Sequence, residues 1–326
     1  MHKLFDIHKD GIKIYDTSEN MLDFNIVENK LCDITHFNKN GDLVTPNIEY
    51  DENVSLLYSF GLMSDIHVKG ESQDDSVVDY GKSLQICEAS NCKFIAYAGD
   101  MTYNGTNADY NQLKTMMDTT NIKHYPTTGN HDVVDKNLYK SYLGTLDDYT
   151  LELYNDLFIF MHYDSVAEPL SLSRVEWLQD IIINNTSKRI FLIFHLTISG
   201  TSGDANGIYE NVSYPDINPN SNVGSALSSL LNGRTNIIFC HGHTHLKFSQ
   251  ADTYTSNTYY NKDGYHSIHI SSGCSPRTVS EDGTVSTDTA SGEFYIVDVY
   301  KNRISFKPYS LKYDRFLTEY NFEIII

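Results

Sequence analysis

The pattern of apolar and polar positions changes character near Val54. Before it, short alternating pieces (KLFDI, GIKIYD, LDFNIV) are punctuated by Asp, Asn and Gly, which predicts short strands. After it, VSLLYSFGLM is almost continuously apolar, the mark of a strand covered on both faces. Further buried runs follow at 93–98 and 189–194, a short β-like run at 122–125 and a fifth strand at 236–240. Helical periodicity is read at 76–89, 109–118, 172–184 and 226–231, with Ser171 or Ser173 available to cap the third helix. A hairpin is expected from 149–154 and 157–163, turning at Asn155-Asp156. The last third returns to strands at 265–272, 293–299 and 303–309, with a turn at Lys301-Asn302. Strand, polar loop and helix in repetition predict an α/β layered domain over 51–326, preceded by a β-rich extension over 1–50. Residues 199–222 are rich in Gly, Asn, Ser and Pro and carry neither period. A connection of that length inside a compact domain is more often functional than accidental.

Composition narrows the classes. The 326 residues include 40% hydrophobic ones, enough for a sizeable core, and the formal net charge is −19. That charge argues against non-specific nucleic-acid binding and against docking on an anionic membrane surface. It does not exclude a phosphorylated substrate, because bound metal ions dominate the field of a site. The five cysteines (Cys32, Cys87, Cys92, Cys240, Cys274) are scattered and form no CxxC pair, so free thiols in a reducing compartment are expected. The N-terminus shows no apolar signal region, and no run reaches the roughly 18 apolar residues of a membrane span. A cytoplasmic or assembly-associated protein is expected on these grounds.

The chemistry collects where apolar runs stop. Asp65 and His67, then Asp100, then Asn130, His131 and Asp132, then His195, then His243 and His245 each follow such a run. In α/β sheets, polar residues just past the carboxyl ends of strands gather in one crevice. Carboxylates, imidazoles and an amide oxygen, with no thiolate, suit two metal ions such as manganese, iron, zinc, nickel or cobalt. In Asp65-x-His67 and His243-x-His245 alternate residues can face one side of an extended segment. Asp100 can bridge two ions roughly 3.5–4 Å apart.

The series DIH (65–67), GD (99–100), GNHD (129–132), His195 and GHTH (242–245), in this order and spacing, resembles the calcineurin-like metallophosphoesterases over about residues 54–310. FMHYDS before the LSLSRVEWL helix agrees with the resemblance. It implies a four-layer sandwich, two packed mixed β-sheets flanked by helices. It also implies one metal held by Asp65, His67, Asp100 and His245, and a second held by Asp100, Asn130, His195 and His243. A metal-bridging hydroxide would attack phosphorus in line, with His131 protonating the leaving oxygen or stabilising its charge. Asp132, next in sequence, is expected to orient that imidazole.

The remaining histidines are read as structural. His241 stands beside GHTH, His162 within a strand, and His124 before Tyr125, while His266 and His269 lie on opposite faces of one strand. Tyr103, Tyr209 and Tyr214 are candidates to stack on an organic substituent of the substrate, or are exposed loop tyrosines. No arginine lies beside GD or GNHD. This favours a phosphodiester or small organic phosphate, carried on a small molecule or a polymer, over phosphoprotein. A phosphomonoesterase is the alternative within enzymes. A structural component of a phage or cell-surface assembly, built on a phosphoesterase scaffold and docked through residues 1–50, is the alternative outside them.

Overall fold

The computed structural model describes residues 55–204, 216–249, 258–279, 284–289 and 291–325, together with the backbone of five strands before them. The chain divides into two compact units, Met1–Glu52 and Asn53–Ile326. In the first, β1 (Phe5–His8), β2 (Gly11–Tyr15), β3 (Met21–Val27), β4 (Lys30–Phe37) and β5 (Leu43–Val44) form an antiparallel meander in sequence order.

In the second unit β6 (Leu56–Met63) leads to α1 (Asp75–Ala89), β7 (Phe94–Tyr97), α2 (Asn107–Met117), β8 (Lys123–Pro126) and α3 (Lys136–Leu143). There follow β9 (Tyr149–Leu153), β10 (Asp156–Phe160), α4 (Leu172–Asn184), β11 (Arg189–Ile193), α5 (Asn222–Leu231) and β12 (Ile237–His241). Short strands β13 (Tyr259–Tyr260), β14 (His266–His269), β15 (Arg277–Val279) and β16 (Val285–Thr287) precede β17 (Glu293–Tyr300), β18 (Arg303–Ser310), β19 (Arg315–Phe316) and β20 (Phe322–Ile325).

Strands β6–β8 run parallel and extend through β17 and β18 into a seven-stranded sheet of order β19-β18-β17-β6-β7-β8, with β20 on β18. Strands β10, β11, β12 and β14 run parallel in a six-stranded sheet of order β13-β14-β12-β11-β10-β9. The near-continuous apolar runs follow from cover on both faces. Tyr58, Phe60 and Leu62 of β6 meet Phe158, Phe160, Phe191 and Ile238 of the other sheet in one buried cluster. The alternate residues turn outward. Met63, Ile95 and Tyr97 pack under Val77 and Leu84 of α1 and Leu113 of α2, while Leu157, Ile190 and Phe239 pack under Leu178 of α4 and Leu227 of α5. The architecture is therefore helix, sheet, sheet, helix. Each fully buried Phe of the middle layer contributes about 1.5–3 kcal/mol.

Three local expectations are corrected. The hairpin turns at Tyr154-Asn155, because Asp156 already pairs with Leu153. Helix α2 starts before Asp109, because Thr106 caps it and Asp109 closes a capping box. Ser171 occupies the N-cap of α4, but its side chain makes no cap bond. Among the described residues no helix is long and apolar enough to cross a membrane.

Candidate metal centre

Five strand ends deliver the side chains. The loops after β6 and β7 continue the parallel pairing past the strands, with Asp65 N donating to the Gly99 carbonyl and His67 N to that of Asp100. The ligand segments are not extended, as alternation within DIH and GHTH had suggested. Asp65, His67, Asp100, His243 and His245 have φ of 52°, 44°, 51°, 74° and 61°, the left-handed region that costs a non-glycine residue on the order of 1–3 kcal/mol each. Left-handed turns, rather than the alternation of a strand, bring Asp65 with His67 and His243 with His245 to one side. Gly129 is fixed by close approach, since a Cβ there would lie 2.2 Å from Asp100 Oδ1.

The structure brings the sequence-expected residues together in overlapping groups: Asp65, His67 and His245; His67, Asp100 and His131; Asp100, His195 and His243. Asn130 joins the last through its Oδ1, 3.2 Å from His195 Nε2. Hydrogen bonds decide which atoms face inward. Asp65 Oδ2 accepts from Ser64 Oγ and from the His243 amide, leaving Oδ1 buried without a hydrogen-bond donor and 3.1 Å from His245 Nε2. Asp100 Oδ1 accepts from the His131 amide, and Oδ2 lies 3.4 Å from His195 Nε2 and 3.8 Å from His67 Nε2.

The tautomers follow from the same contacts. His195 Nδ1 faces the Ala98 carbonyl at 2.7 Å and His245 Nδ1 that of Ser275 at 3.2 Å, so both donate there and turn the Nε2 lone pair inward. Nitrogen lone pairs thus face a carboxylate oxygen, an amide oxygen and other imidazole nitrogens across 3.0–3.4 Å. Acceptors facing acceptors are stable only around positive charge. The donor set of carboxylate, imidazole and amide oxygen therefore fits metal cations.

The electrostatics agree. Burial opposes charge on Asp65, yet the His245, His195 and His67 imidazoles hold its carboxyl well below the usual range. Asp100 is likewise held down by His195 and His67 against burial. Burial depresses His67 to about 3, and burial with the neighbouring His195 depresses His243 to about 3. Burial works on His195 too, but Asp100 outweighs it and draws the imidazole up to about 9. Positive charge is therefore favoured between His195 and Asp100, whether carried by a proton or by an ion.

The cluster opens into a cavity of about 450 Å³. His131 stands at its edge with Nδ1 directed at the Tyr103 carbonyl. Asp132 does not orient it. The Asp132 carboxylate is buried and accepts from the Met101, Thr102 and Gly129 amides and from Thr102 Oγ1, because those donors surround it and the imidazole points away. Burial and the nearby Asp100 push Asp132 up to about 6. Tyr103 lines the cavity and is 44% exposed, while Tyr209 and Tyr214 lie outside the described residues.

His241 stays out of the ligand set. Its Nε2 bonds to Thr197, Ser202 and Ser267 hydroxyls beneath the centre. His162 Nδ1 accepts from the Thr128 amide, His124 meets the Tyr97 hydroxyl, His266 the Tyr259 hydroxyl, and His269 the Leu246 carbonyl. Sequence reading missed Ser275 behind His245, and it missed that Arg277 lines the cavity although it lies far from GD and GNHD in the chain. The Thr106-x-x-Asp109 capping signature is the sequence signal that marks Asp109.

Among solved structures the chain is similar to vacuolar protein sorting 29 from Cryptosporidium parvum, at 12% identity and TM-score 0.39 over 82% of this chain and 97% of that one. It is also similar to a phosphatase from Mycoplasma pneumoniae, at 12% identity and TM-score 0.40 over 82% of this chain and 93% of that one. No curated protein sequence matches. The family model of the calcineurin-like phosphoesterases matches residues 58–247, a span that contains every residue of the cluster, and the chain belongs to that family.

Proposed function

We propose that the chain is a two-metal phosphoesterase that hydrolyses a phosphodiester or another small organic phosphate. The observation that carries this reading is the cluster of inward-facing acceptors at five strand ends, open to a cavity with His131 at its edge. Asp65, His67, Asp100 and His245 would hold one ion, and Asp100, Asn130, His195 and His243 the other. Bound ions of this kind supply Lewis-acid charge to phosphoryl oxygens and lower the pKa of water toward neutrality. The chain's own residues do the rest. His131, with Nδ1–H committed to the Tyr103 carbonyl, presents Nε2 to the cavity and protonates the leaving oxygen from that atom. Tyr103 offers a ring to an organic substituent.

The preference for a diester rests on charge. Outside the ligands the cavity is lined by Lys69 and Arg277 but also by Asp74 and Asp75, and Lys69 Nζ lies 3.0 Å from Asp74. That lining has no excess of positive charge for a dianionic monoester, and a monoanionic diester needs less. The five-stranded unit at residues 1–50 is proposed as a docking module on a larger assembly. Its removal should abolish assembly binding and leave turnover intact, and unchanged binding would refute it.

The test is elemental analysis of the purified protein with hydrolysis of bis-p-nitrophenyl phosphate and p-nitrophenyl phosphate in added manganese. Two metals per chain and preference for the diester support the reading. Preference for the monoester favours a phosphomonoesterase. Little metal and no turnover of either favour a structural component on this scaffold.

A further inference from the structure

His131 makes no contact with an orienting carboxylate on its Nδ1 side. Its Nδ1 faces the carbonyl of Tyr103, and since a carbonyl only accepts, Nδ1 carries the proton. That carbonyl shares one peptide group with the amide of Asn104. The Asn104 N–H, pointing the opposite way, donates to Asp109 Oδ2 at 3.0 Å. The sequence of contacts is therefore carboxylate, peptide, imidazole, and the carboxylate is 3% exposed.

We infer that Asp109 is the positioning carboxylate of His131 and acts through the 103–104 peptide; the inference rests on the phosphoesterase reading for its catalytic meaning. Hydrogen bonds in a chain polarise one another, so a buried carboxylate accepting from the N–H end strengthens the carbonyl at the other end. The backbone flanking that peptide is also held. Tyr103 N donates to the Val68 carbonyl at 3.1 Å, and Asp109 Oδ1 accepts from Gly70 N at 2.8 Å, which ties this loop to the loop that follows His67. Gly105, at φ 65°, lets the same loop lie against His131, since a Cβ there would be 2.8 Å from the His131 carbonyl oxygen. Asp132 secures the near side of the loop through Met101 and Thr102. Asp109 touches neither the reacting atoms nor the ligand atoms. It fixes the imidazole's tautomer and aim, so that Nε2 faces the cavity.

The experiment compares Asp109→Ala, Asp109→Asn, His131→Ala and the Asp109→Ala/His131→Ala double variant in the full chain. Asp109→Asn keeps an oxygen for the Thr106 and Asn104 amides, so it preserves the helix cap and removes only the charge, and it isolates the polarising effect if the alanine variant does not fold. Substrates are bis-p-nitrophenyl phosphate, whose leaving group needs little acid help, and diphenyl phosphate, whose leaving group needs more. Loss of Asp109 should lower kcat on diphenyl phosphate by about 10–100-fold with KM and metal content kept, and should hardly change the p-nitrophenyl diester. In the double variant Asp109→Ala should add nothing to His131→Ala. In metal-free protein labelled with nitrogen-15 on histidine, His131 should show a protonated Nδ1 that becomes a tautomer mixture in the Asp109 variants. Equal losses on both diesters, additive losses, or an unchanged His131 spectrum would overturn the assignment. If the metal-loaded native protein hydrolyses neither diester, the phosphoesterase reading falls, and the nitrogen spectrum still decides the positioning role.

Discussion

The two ends of the sheet sandwich are built on opposite principles. At the amino ends of the parallel strands, Tyr58 of β6 donates to Asp156 of β10, and Arg189 of β11 forks onto both oxygens of that carboxylate. A further Arg189 nitrogen reaches the Tyr300 carbonyl of β17, so this buried ion pair ties the two sheets together with its charges matched. At the carboxyl ends the charges are not matched within the protein. Five of the seven proposed ligands sit in left-handed backbone, and acceptor atoms face acceptor atoms. Matched charge holds layers together, whereas strained backbone and unmatched acceptors are costs that folding alone does not explain.

The comparison can be broken from either end. The largest effect is expected from Asp100→Ala. It should abolish binding of both metals and bring phosphoester hydrolysis to background, while the metal-free protein melts no lower than the metal-free native chain. A clear drop in that melting temperature would mean that Asp100 serves the fold rather than the ions. His131→Ala should keep both metals and lose roughly 10²–10⁴-fold in rate on a diester with a poor leaving group, as elemental analysis and kcat would record. A fully active variant would remove its role as acid.

At the other end, Arg189→Met leaves Asp156 as a buried charge without its partner. Urea unfolding should show a loss of about 3–5 kcal/mol, with the specific activity of the folded fraction unchanged. A loss of activity matching the loss of stability would mean the two ends are not independent.

The smallest effect concerns Glu293, at the start of β17. Burial pushes its carboxyl up to about 7, against the bond it accepts from the Phe248 amide. The folded pKa is raised above the unfolded one. Its contribution to stability is therefore full below about 4.5 and fades as pH rises through about 7, by on the order of 3 kcal/mol in all. Glu293→Gln, compared with the native chain by urea unfolding across that range, should remove this part of the slope. Parallel profiles would show that the folded state does not raise the pKa of Glu293.

Legibility in the sequence followed the same division. Every proposed ligand was readable, because each stands just past a run read as a strand; β6, β7, β11 and β12 are buried there, whereas β8 is exposed at Lys123 and half-buried beyond it. Helix α4 was readable residue for residue, since Val175, Leu178 and Ile182 mark a regular buried stripe. Helix α3, KNLYKSYL, went unread because Tyr139 is its only buried residue. Helix α5 starts four residues before the periodicity did, where Ser221 caps it. Asp132 and Asp109 were misread or passed over because their partners are main-chain amides of a loop, and amides leave no mark in a sequence. Arg277 reaches the cavity from a strand about 150 residues beyond GNHD, so adjacency along the chain said nothing of adjacency in space.

The most direct test of the account is the melting temperature of chelator-treated protein titrated with manganese, alongside the Asp100→Ala variant. The account predicts a rise for the native chain that grows with the logarithm of free metal, worth about 2.7 kcal/mol per site once free metal exceeds that site's dissociation constant 100-fold, and no rise for the variant. A native melting temperature indifferent to manganese and to the other candidate metals, with none retained on purification, would contradict the claim that the carboxyl end of the sandwich is built around cations.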